Sequence, residues 1–309
     1  NRMPFPRRHF LKNTTALGLA GSLGFSMKLG AAPTATILET KTISQLPNLY
    51  HGWPTLTRRS NGQLLIVCSG GREQHVCPFG RVEMQRSDDD GKTWTFPRTL
   101  LDGPIDDRDA GVMETAKGTL LVTTFTSLAY ASHFPNDGRR ARWLAAHQRL
   151  PEKERNKELG EWMIRSTDGG ITWSGRYSTI VNSPHGPTQL SDGRLLYAGK
   201  KLWHEGEEIG VCESRDDGKS WQWLAGIPTR PGDNHRDYHE LHAIEGAEGR
   251  LIVHIRNHNK ADHRETLQSE SKDGGKTWSM PRSIGVWGLP SFLTRLRDGR
   301  LLMSYGHRR

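Results

Sequence analysis

Short apolar runs broken by glycine turns recur along this chain, and none is long. Segments 54–68, 111–124, 186–198 and 240–255 each read as strand, glycine turn, strand. Their turns fall at Asn61-Gly62, Lys117-Gly118, Asp192-Gly193 and Glu248-Gly249. A fifth copy begins at Ser291, turns at Asp298-Gly299 and runs through residues 301–305. Strands this short, bounded by turn residues, predict an all-β protein.

A second pattern is locked to the first. After each of the first four pairs stands one octamer, S-x-D-x-G-x-[TS]-W. It reads Ser87, Asp89, Gly91, Thr93, Trp94, then Ser166, Asp168, Gly170, Thr172, Trp173. The third and fourth are Ser214, Asp216, Gly218, Ser220, Trp221 and Ser271, Asp273, Gly275, Thr277, Trp278. The Asp carboxylate can accept from turn amides, and the Gly supplies a positive φ. The hydroxyls can tie the turn together, and the Trp can bury its face on a neighbouring strand. Each repeat therefore holds inner strands A and B, then C, the box, and D. Four strands per repeat describe the blades of a β-propeller. The stretch between the first two boxes is longer because residues 139–161 insert a charged, helical segment between strands B and C of the second blade. Four boxes plus one strand pair make about four and a half blades, so the propeller is expected to be incomplete at its C-terminal end.

Composition agrees: 34 glycines and 16 prolines stand against 34% hydrophobic residues, which suits many short strands joined by tight turns. Residues 1–35 read separately. Pro6-Arg7-Arg8-His9-Phe10-Leu11-Lys12 resembles the twin-arginine export signal, and a weakly apolar Gly/Ala-rich stretch follows it. The expectation is an export segment over 1–35, the propeller over 36–309, contact with the twin-arginine machinery, and a periplasmic or secreted destination. Residues 1–35 hold five basic residues and no acidic one, so the formal charge of +9 falls to +4 for the remainder (9 − 5). A mild basic excess suits an anionic glycan better than a nucleic acid. No apolar run of membrane-spanning length is present. Cys68, Cys77 and Cys212 give neither a disulfide framework nor a zinc spacing.

Topology separates the two ends of the propeller. The A–B turns and the boxes lie at one end, the D–A and B–C connections at the other. The first set holds no histidine. The second holds His51, His75, His185, His235, His239 and His258 among others, with Arg72, Arg108, Arg256 and the run Asp106-Asp107-Arg108-Asp109. Titratable groups crowded on one face predict a polar site at that pore mouth. Strand alternation sends His239 and His242 to opposite sides, so no metal site is expected, and no cofactor. Trp287-Gly288-Leu289-Pro290 offers a ring that could stack on a sugar.

Boxes of this kind within four-stranded repeats resemble the sialidase (neuraminidase) superfamily, whose members are six-bladed propellers. The resemblance covers essentially residues 37–309. It implies three arginines gripping a substrate carboxylate, a Glu beside a Tyr nucleophile, and a separate Asp acid/base. Tyr238-His239-Glu240 followed sixteen residues later by Arg256-Asn257 resembles the family's Glu and second arginine. By position, Arg308 or Arg309 would be the third arginine, and Arg72 a further active-site arginine. The first strand reads Tyr50-His51-Gly52-Trp53-Pro54 where the family has Arg-Ile-Pro, and the first-blade B–C loop offers only Glu73 and His75 where the family has its Asp. The resemblance places the nucleophilic Tyr beyond residue 309.

The expected site is therefore catalytic Glu240, Asp107, His75 and Tyr238, with Arg72, Arg256, Arg308, Arg309, His51, Asp106 and His239 binding substrate. The expected activity is an exported exo-glycosidase removing a terminal carboxylate-bearing sugar from glycans. Two alternatives stand beside it: a histidine-using hydrolase or lyase acting on uronate- or rhamnose-containing polysaccharide, and a non-catalytic glycan-binding propeller.

Overall fold

A computed structural model of the chain describes residues 36–203, 206–259, 265–287 and 289–306. The expected export segment, 1–35, lies outside the described residues. One compact unit begins at Thr42, and it is a run of antiparallel meanders. Blade 1 is β1 (Tyr50–Arg58), β2 (Leu64–Arg72), β3 (Arg81–Ser87) and β4 (Arg98–Leu101). Blade 2 is β5 (Asp106–Glu114), β6 (Leu120–Ser127), β7 (Glu161–Ser166) and β8 (Tyr177–Ser178). Blade 3 is β9 (Thr188–Gln189), β10 (Leu195–Lys200), β11 (Ile209–Ser214) and β12 (Gln222–Gly226). Blade 4 is β13 (Tyr238–Glu245), β14 (Leu251–Asn257), β15 (Thr266–Ser271) and β16 (Arg282–Ser283), and β17 (Leu289–Arg295) pairs with β18 (Leu301–Gly306) as a half-blade. These are the four and a half blades of the repeat pattern, in an all-β propeller.

The middle strands of blades 2 to 4 are largely buried because each is pressed between two other strand groups. Leu65, Val67, Val82 and Met84 of blade 1 meet Ala110, Val112, Leu120 and Val122 of blade 2. Leu195 of blade 3 packs with Met113, Leu121 and Met163 of blade 2. Ile244 and Ile252 of blade 4 pack with Leu293 of the half-blade. Each fully buried side chain of this kind contributes about 1.5–3 kcal/mol. The inner strand of blade 3 is the shortest, since Pro184 and Pro187 bracket Gly186 and Pro lacks a ladder donor. There the backbones nearly touch: a Cβ on Gly111 would lie 2.4 Å from the Gly186 nitrogen.

The boxes repeat one bonding scheme. In all four, the Gly N–H donates to the Ser Oγ at 2.8–2.9 Å. The Thr or Ser hydroxyl donates to the Asp Oδ2 at 2.5–2.6 Å. The turn needs two successive left-handed residues rather than the single glycine expected. Asp90, Gly169, Asp217 and Gly274 precede the box glycines and share their positive φ. Asp-Gly and Gly-Gly are the dipeptides that meet this demand.

The insertion in blade 2 is helical as expected, with α1 (Arg140–Gln148) and α2 (Glu152–Lys157). Good helix formers fill α1, and Pro151 stands just before α2. Trp143 anchors α1 against blade 1: it is fully buried with Cys77 and Tyr130, and its Nε1 donates to Glu73 at 2.8 Å.

Candidate active site

The inner strands of three blades reach the pore mouth through a bulge. Register shifts fall between Gly52 and Thr55 in β1, between Arg108 and Gly111 in β5, and between His239 and His242 in β13. Inside these bulges Trp53, Asp109 and Glu240 adopt φ of +52°, +47° and +46°. A left-handed non-glycine residue costs about 1–2 kcal/mol, and here the cost recurs at equivalent points. The consequence is directional. Arg108 and Asp109 are adjacent yet both line one cavity, as do His239 and Glu240, which strict strand alternation forbids.

That cavity holds about 300 Å³. Trp53, Asp109 and Glu240 face it from the bulges, Lys200 and Arg256 from the ends of strands B, and His75 from the first-blade B–C loop. All these positions are on the end opposite the boxes. Arg256 Nη1 donates to Glu240 Oε2, while Arg256 Nε is buried with no partner among the described residues. Arg108 lies with its guanidinium 4.7 Å from the centre of the Trp53 ring, and its Nε is 4.0 Å from Asp106 Oδ2. Lys200 is buried and donates to the Arg236 carbonyl at 2.7 Å, with Glu207 at 2.8 Å. Tyr50 Oη shares a hydrogen bond with His75 Nδ1 at 3.0 Å, and Trp53 packs on the His75 ring at 5.0 Å.

A family model described as a BNR repeat-like domain matches residues 143–309. The chain belongs to the BNR-repeat family. Around that match the similarity is to sialidases. A sialidase of Bacteroides fragilis is 25% identical over 247 residues, covering 73% of this chain and 42% of that protein. One from Clostridium perfringens is 21% identical over 286 residues, covering 90% and 61%. This BNR chain thus spans between two fifths and two thirds of the length of those relatives. Among solved structures, a Dyadobacter fermentans protein described as of unknown function matches with TM-score 0.67 at 20% identity, over 85% of this chain and 76% of that one. The intramolecular trans-sialidase from Ruminococcus gnavus, in complex with oseltamivir carboxylate, matches with TM-score 0.59 at 14% identity, over 82% and 76%. These structures share the sialidase propeller fold.

Electrostatics sets the BNR propeller's mouth apart from its body. Burial, then the Glu240 charge, pushes the Asp109 carboxyl up to about 7, against the pull of Arg108 and Arg72. Burial, then Lys200, drives His239 down to about 3, so its imidazole is neutral at ordinary pH. The cavity therefore offers two carboxyl groups, three cationic side chains and a neutral imidazole around one small volume.

Of the expected residues, the structure brings Glu240, Arg256, His75 and His239 together. It does not bring the others. Arg72 is fully buried, held by Asp106 at 2.6 and 2.9 Å and by the His75 carbonyl at 3.0 Å. Arg72 and Asp106 thus brace the loop that carries His75, and neither reaches the cavity. Asp107 is also buried: its Oδ2 accepts the Gly103 N–H at 2.6 Å, and burial raises its carboxyl to about 7. Asp107 therefore does not reach the cavity, whereas Asp109 lines it. Tyr238 points into the core, its hydroxyl donating to Asp233 at 2.5 Å and pushed up to about 12 by burial. That places it outside the constellation. His51 faces Glu83 at 3.5 Å rather than the cavity. Arg308 and Arg309 lie outside the described residues. From the Trp287–Pro290 stretch, Pro290 lines the cavity.

Sequence reasoning named Arg108 and Asp109 within an acidic run and passed over Trp53 and Lys200 as site residues. No short sequence pattern links them: Trp53, Asp109 and Glu240 share a left-handed backbone inside a bulge, and Lys200 ends a strand B. Among the described residues, no three His, Cys, Asp or Glu side chains are grouped to hold a metal ion.

Proposed function

We propose that the chain forms the catalytic face of a sialidase-like exo-glycosidase that removes a terminal carboxylate-bearing sugar from a glycan. The observation that carries this is the Glu240–Arg256 ion pair sharing one cavity with Arg108, Lys200 and Asp109. A guanidinium fork matches a carboxylate bidentately. An incoming sugar carboxylate competes for Arg256 and releases Glu240 to act on the reacting centre. Arg108, stacked on Trp53, supplies a second cation in the absence of a first-strand arginine. Partial burial of these side chains strengthens each of these interactions. Sialidase relatives favour a sialylated glycan as substrate. Export through the twin-arginine route, read from residues 6–12, is part of the same proposal. Recovery of the protein in the periplasm, lost when Arg7 and Arg8 become lysine, tests it.

The activity test is release of sialic acid from a synthetic sialoside, abolished by Glu240→Gln. No release from any sialoside would sink the reading. The two histidines at the mouth favour one alternative, elimination or hydrolysis at a uronate. Its signature is the ultraviolet absorbance of an unsaturated uronate, lost in His239→Ala.

A further inference from the structure

We propose that Asn182 and Lys200 form a specificity subsite on the third-blade wall of the cavity. Together they hydrogen-bond a neutral oxygen of the terminal sugar, away from its carboxylate. This rests on the glycosidase reading above and adds what that reading leaves open, namely which sugar the cavity accepts.

Placement comes first. Asn182 and Lys200 face each other as an antiparallel bridge. Each backbone N–H donates to the other's carbonyl, at 2.9 and 3.0 Å. Residues directly opposite in such a pair send their side chains to the same face, with Cβ atoms about 5 Å apart. Both side chains line the cavity.

The frame around them is fixed. The Ser183 N–H donates to Tyr197 Oη at 2.9 Å, and that hydroxyl donates to the Ser183 carbonyl at 3.0 Å. Ser183 Oγ donates to the Leu241 carbonyl of β13. On the facing strand, a Cβ on Gly199 would lie 2.5 Å from the Asn182 carbonyl oxygen, so glycine is what lets the two strands close. Side chains held this way lose little freedom when they meet a ligand.

The chemistry of the pair points to an acceptor. Asn182 is 5% exposed, and its Nδ2 has no hydrogen-bond partner among the described residues. A buried donor left so costs about 1–3 kcal/mol, which a ligand oxygen would offset. Other buried nitrogens of the propeller are also unpaired, but among the described residues this is the uncharged one on the cavity wall. Lys200 is buried as well, and its ammonium donates to the Arg236 carbonyl at 2.7 Å and lies 2.8 Å from the Glu207 carboxylate. An ammonium has three donors, so one is left for the cavity. The bond from Lys200 holds the Glu207 carboxyl below its usual range, which makes the two a neutral couple. Lys200 therefore presents a donor and no free charge, while Arg256 and Arg108 are left to meet the carboxylate. Two donors side by side fit a hydroxyl or an acyl carbonyl oxygen. A site built to bond one oxygen discriminates against sugars that lack it.

The test uses the full chain and a series of aryl sialosides. The parent is compared with analogues in which one hydroxyl, or the acylamido group, is replaced by hydrogen at a time. In Asn182→Ala, kcat/KM on the parent should fall about tenfold, with a melting temperature no lower than the wild type's. One analogue should be about tenfold poorer than the parent for the wild type and lose nothing further in Asn182→Ala. The group missing from that analogue identifies the oxygen as hydroxyl or acyl. Lys200→Met should be least damaging on the same analogue. An equal loss on every member of the series overturns the subsite and leaves the glycosidase reading intact. So does a lowered melting temperature in Asn182→Ala, which would assign the amide to the fold. If Lys200→Met is least damaging on a different analogue, the two residues do not read one oxygen and the proposal fails. A wild type inactive on the whole series overturns the glycosidase reading and the subsite with it.

Discussion

The two ends of this propeller handle the left-handed backbone in opposite ways. In the boxes, positive φ falls on Gly and Asp: Asp90-Gly91, Gly169-Gly170, Asp217-Gly218 and Gly274-Gly275. Those residues accept it at little cost, and the same hydrogen bonds recur four times. At the mouth, positive φ falls on Trp53, Asp109 and Glu240, and Trp53 and Glu240 accept it poorly. Buried nitrogens without a hydrogen-bond partner among the described residues occur at both ends: Arg108 Nε, Arg256 Nε and Asn182 Nδ2 at the mouth, Arg165 Nε, Trp173 Nε1 and Trp221 Nε1 at the boxes. One end is built for repetition and stability. The other end gathers strained backbone, two carboxyl groups and three cationic side chains around one cavity, as a site that must bind something does. Substituting residues at each end should therefore have separable effects.

The largest expected effect is at the mouth. Glu240→Gln should cut sialoside turnover by about a thousandfold while shifting the melting temperature little. A collapse of stability with no selective loss of turnover would show that the Glu240–Arg256 pair is structural. Next in size is a gain. Asp109 has a folded pKa of about 7 against an ordinary 3.8, so the folded state binds the extra proton. Stability is then full below pH 3.8 and falls as pH rises through 7. Asp109→Asn removes that loss and should stabilise the protein by about 3 kcal/mol at pH 8 in urea titrations, and by almost nothing at pH 4. A variant less stable than the wild type at pH 8 would contradict the burial of an ionisable carboxyl there.

The box end should respond the other way. Ser166 is buried, and its Oγ accepts the Gly170 N–H at 2.8 Å while donating to Asp168 at 2.7 Å. Ser166→Ala leaves a buried amide unpaired and should cost about 2 kcal/mol, with kcat and KM unchanged. Altered turnover with intact folding would mean that the two ends are coupled.

How much of this was legible in the sequence follows the same division. The boxes are local: each closes within eight residues, so spacing alone exposes them and the blades they terminate. The mouth is assembled from residues as distant as Trp53, Asp109, Lys200 and Arg256, so no single window contains it. Glu240 and Arg256 were readable because a fixed spacing links them across one hairpin. Asp109 did not stand out within the run Asp106-Asp107-Arg108-Asp109, because the bulge that brings it and its neighbour Arg108 to one cavity is a matter of register with β6 rather than of sequence. Arg72 stood at the right place on its strand, but the buried carboxylate of Asp106 claims it, and that pairing is invisible without the third dimension. Tyr238 adjoins His239 and Glu240 in sequence but faces the core, because only the residues at the bulge turn outward.

The smallest expected effect concerns histidines behind the mouth. His185 and His242 pack at 5.3 Å between ring centres, and His242 stacks on Phe292 of the half-blade at 4.4 Å. Burial drives His185 from 6.5 down to about 3, and burial followed by the neighbouring His185 lowers His242 well below the usual range. The unfolded chain therefore takes up protons that the folded core refuses. These groups contribute stability above pH 6.5 that is lost progressively as pH falls towards 3. Asp109 works against this loss over part of the same range, so the wild-type curve alone does not isolate it. A His185→Phe variant does. The substitution keeps a ring against His242 and Phe292 and removes the buried Nε2 that has no partner among the described residues. Relative to its own value at pH 8, the variant should gain about 1 kcal/mol over the wild type at pH 5.5. Parallel stability curves for the two proteins between pH 8 and 5 would mean that His185 is hydrated or charged in the folded state. The interior behind the mouth would then be wetter than the packing of these three rings indicates.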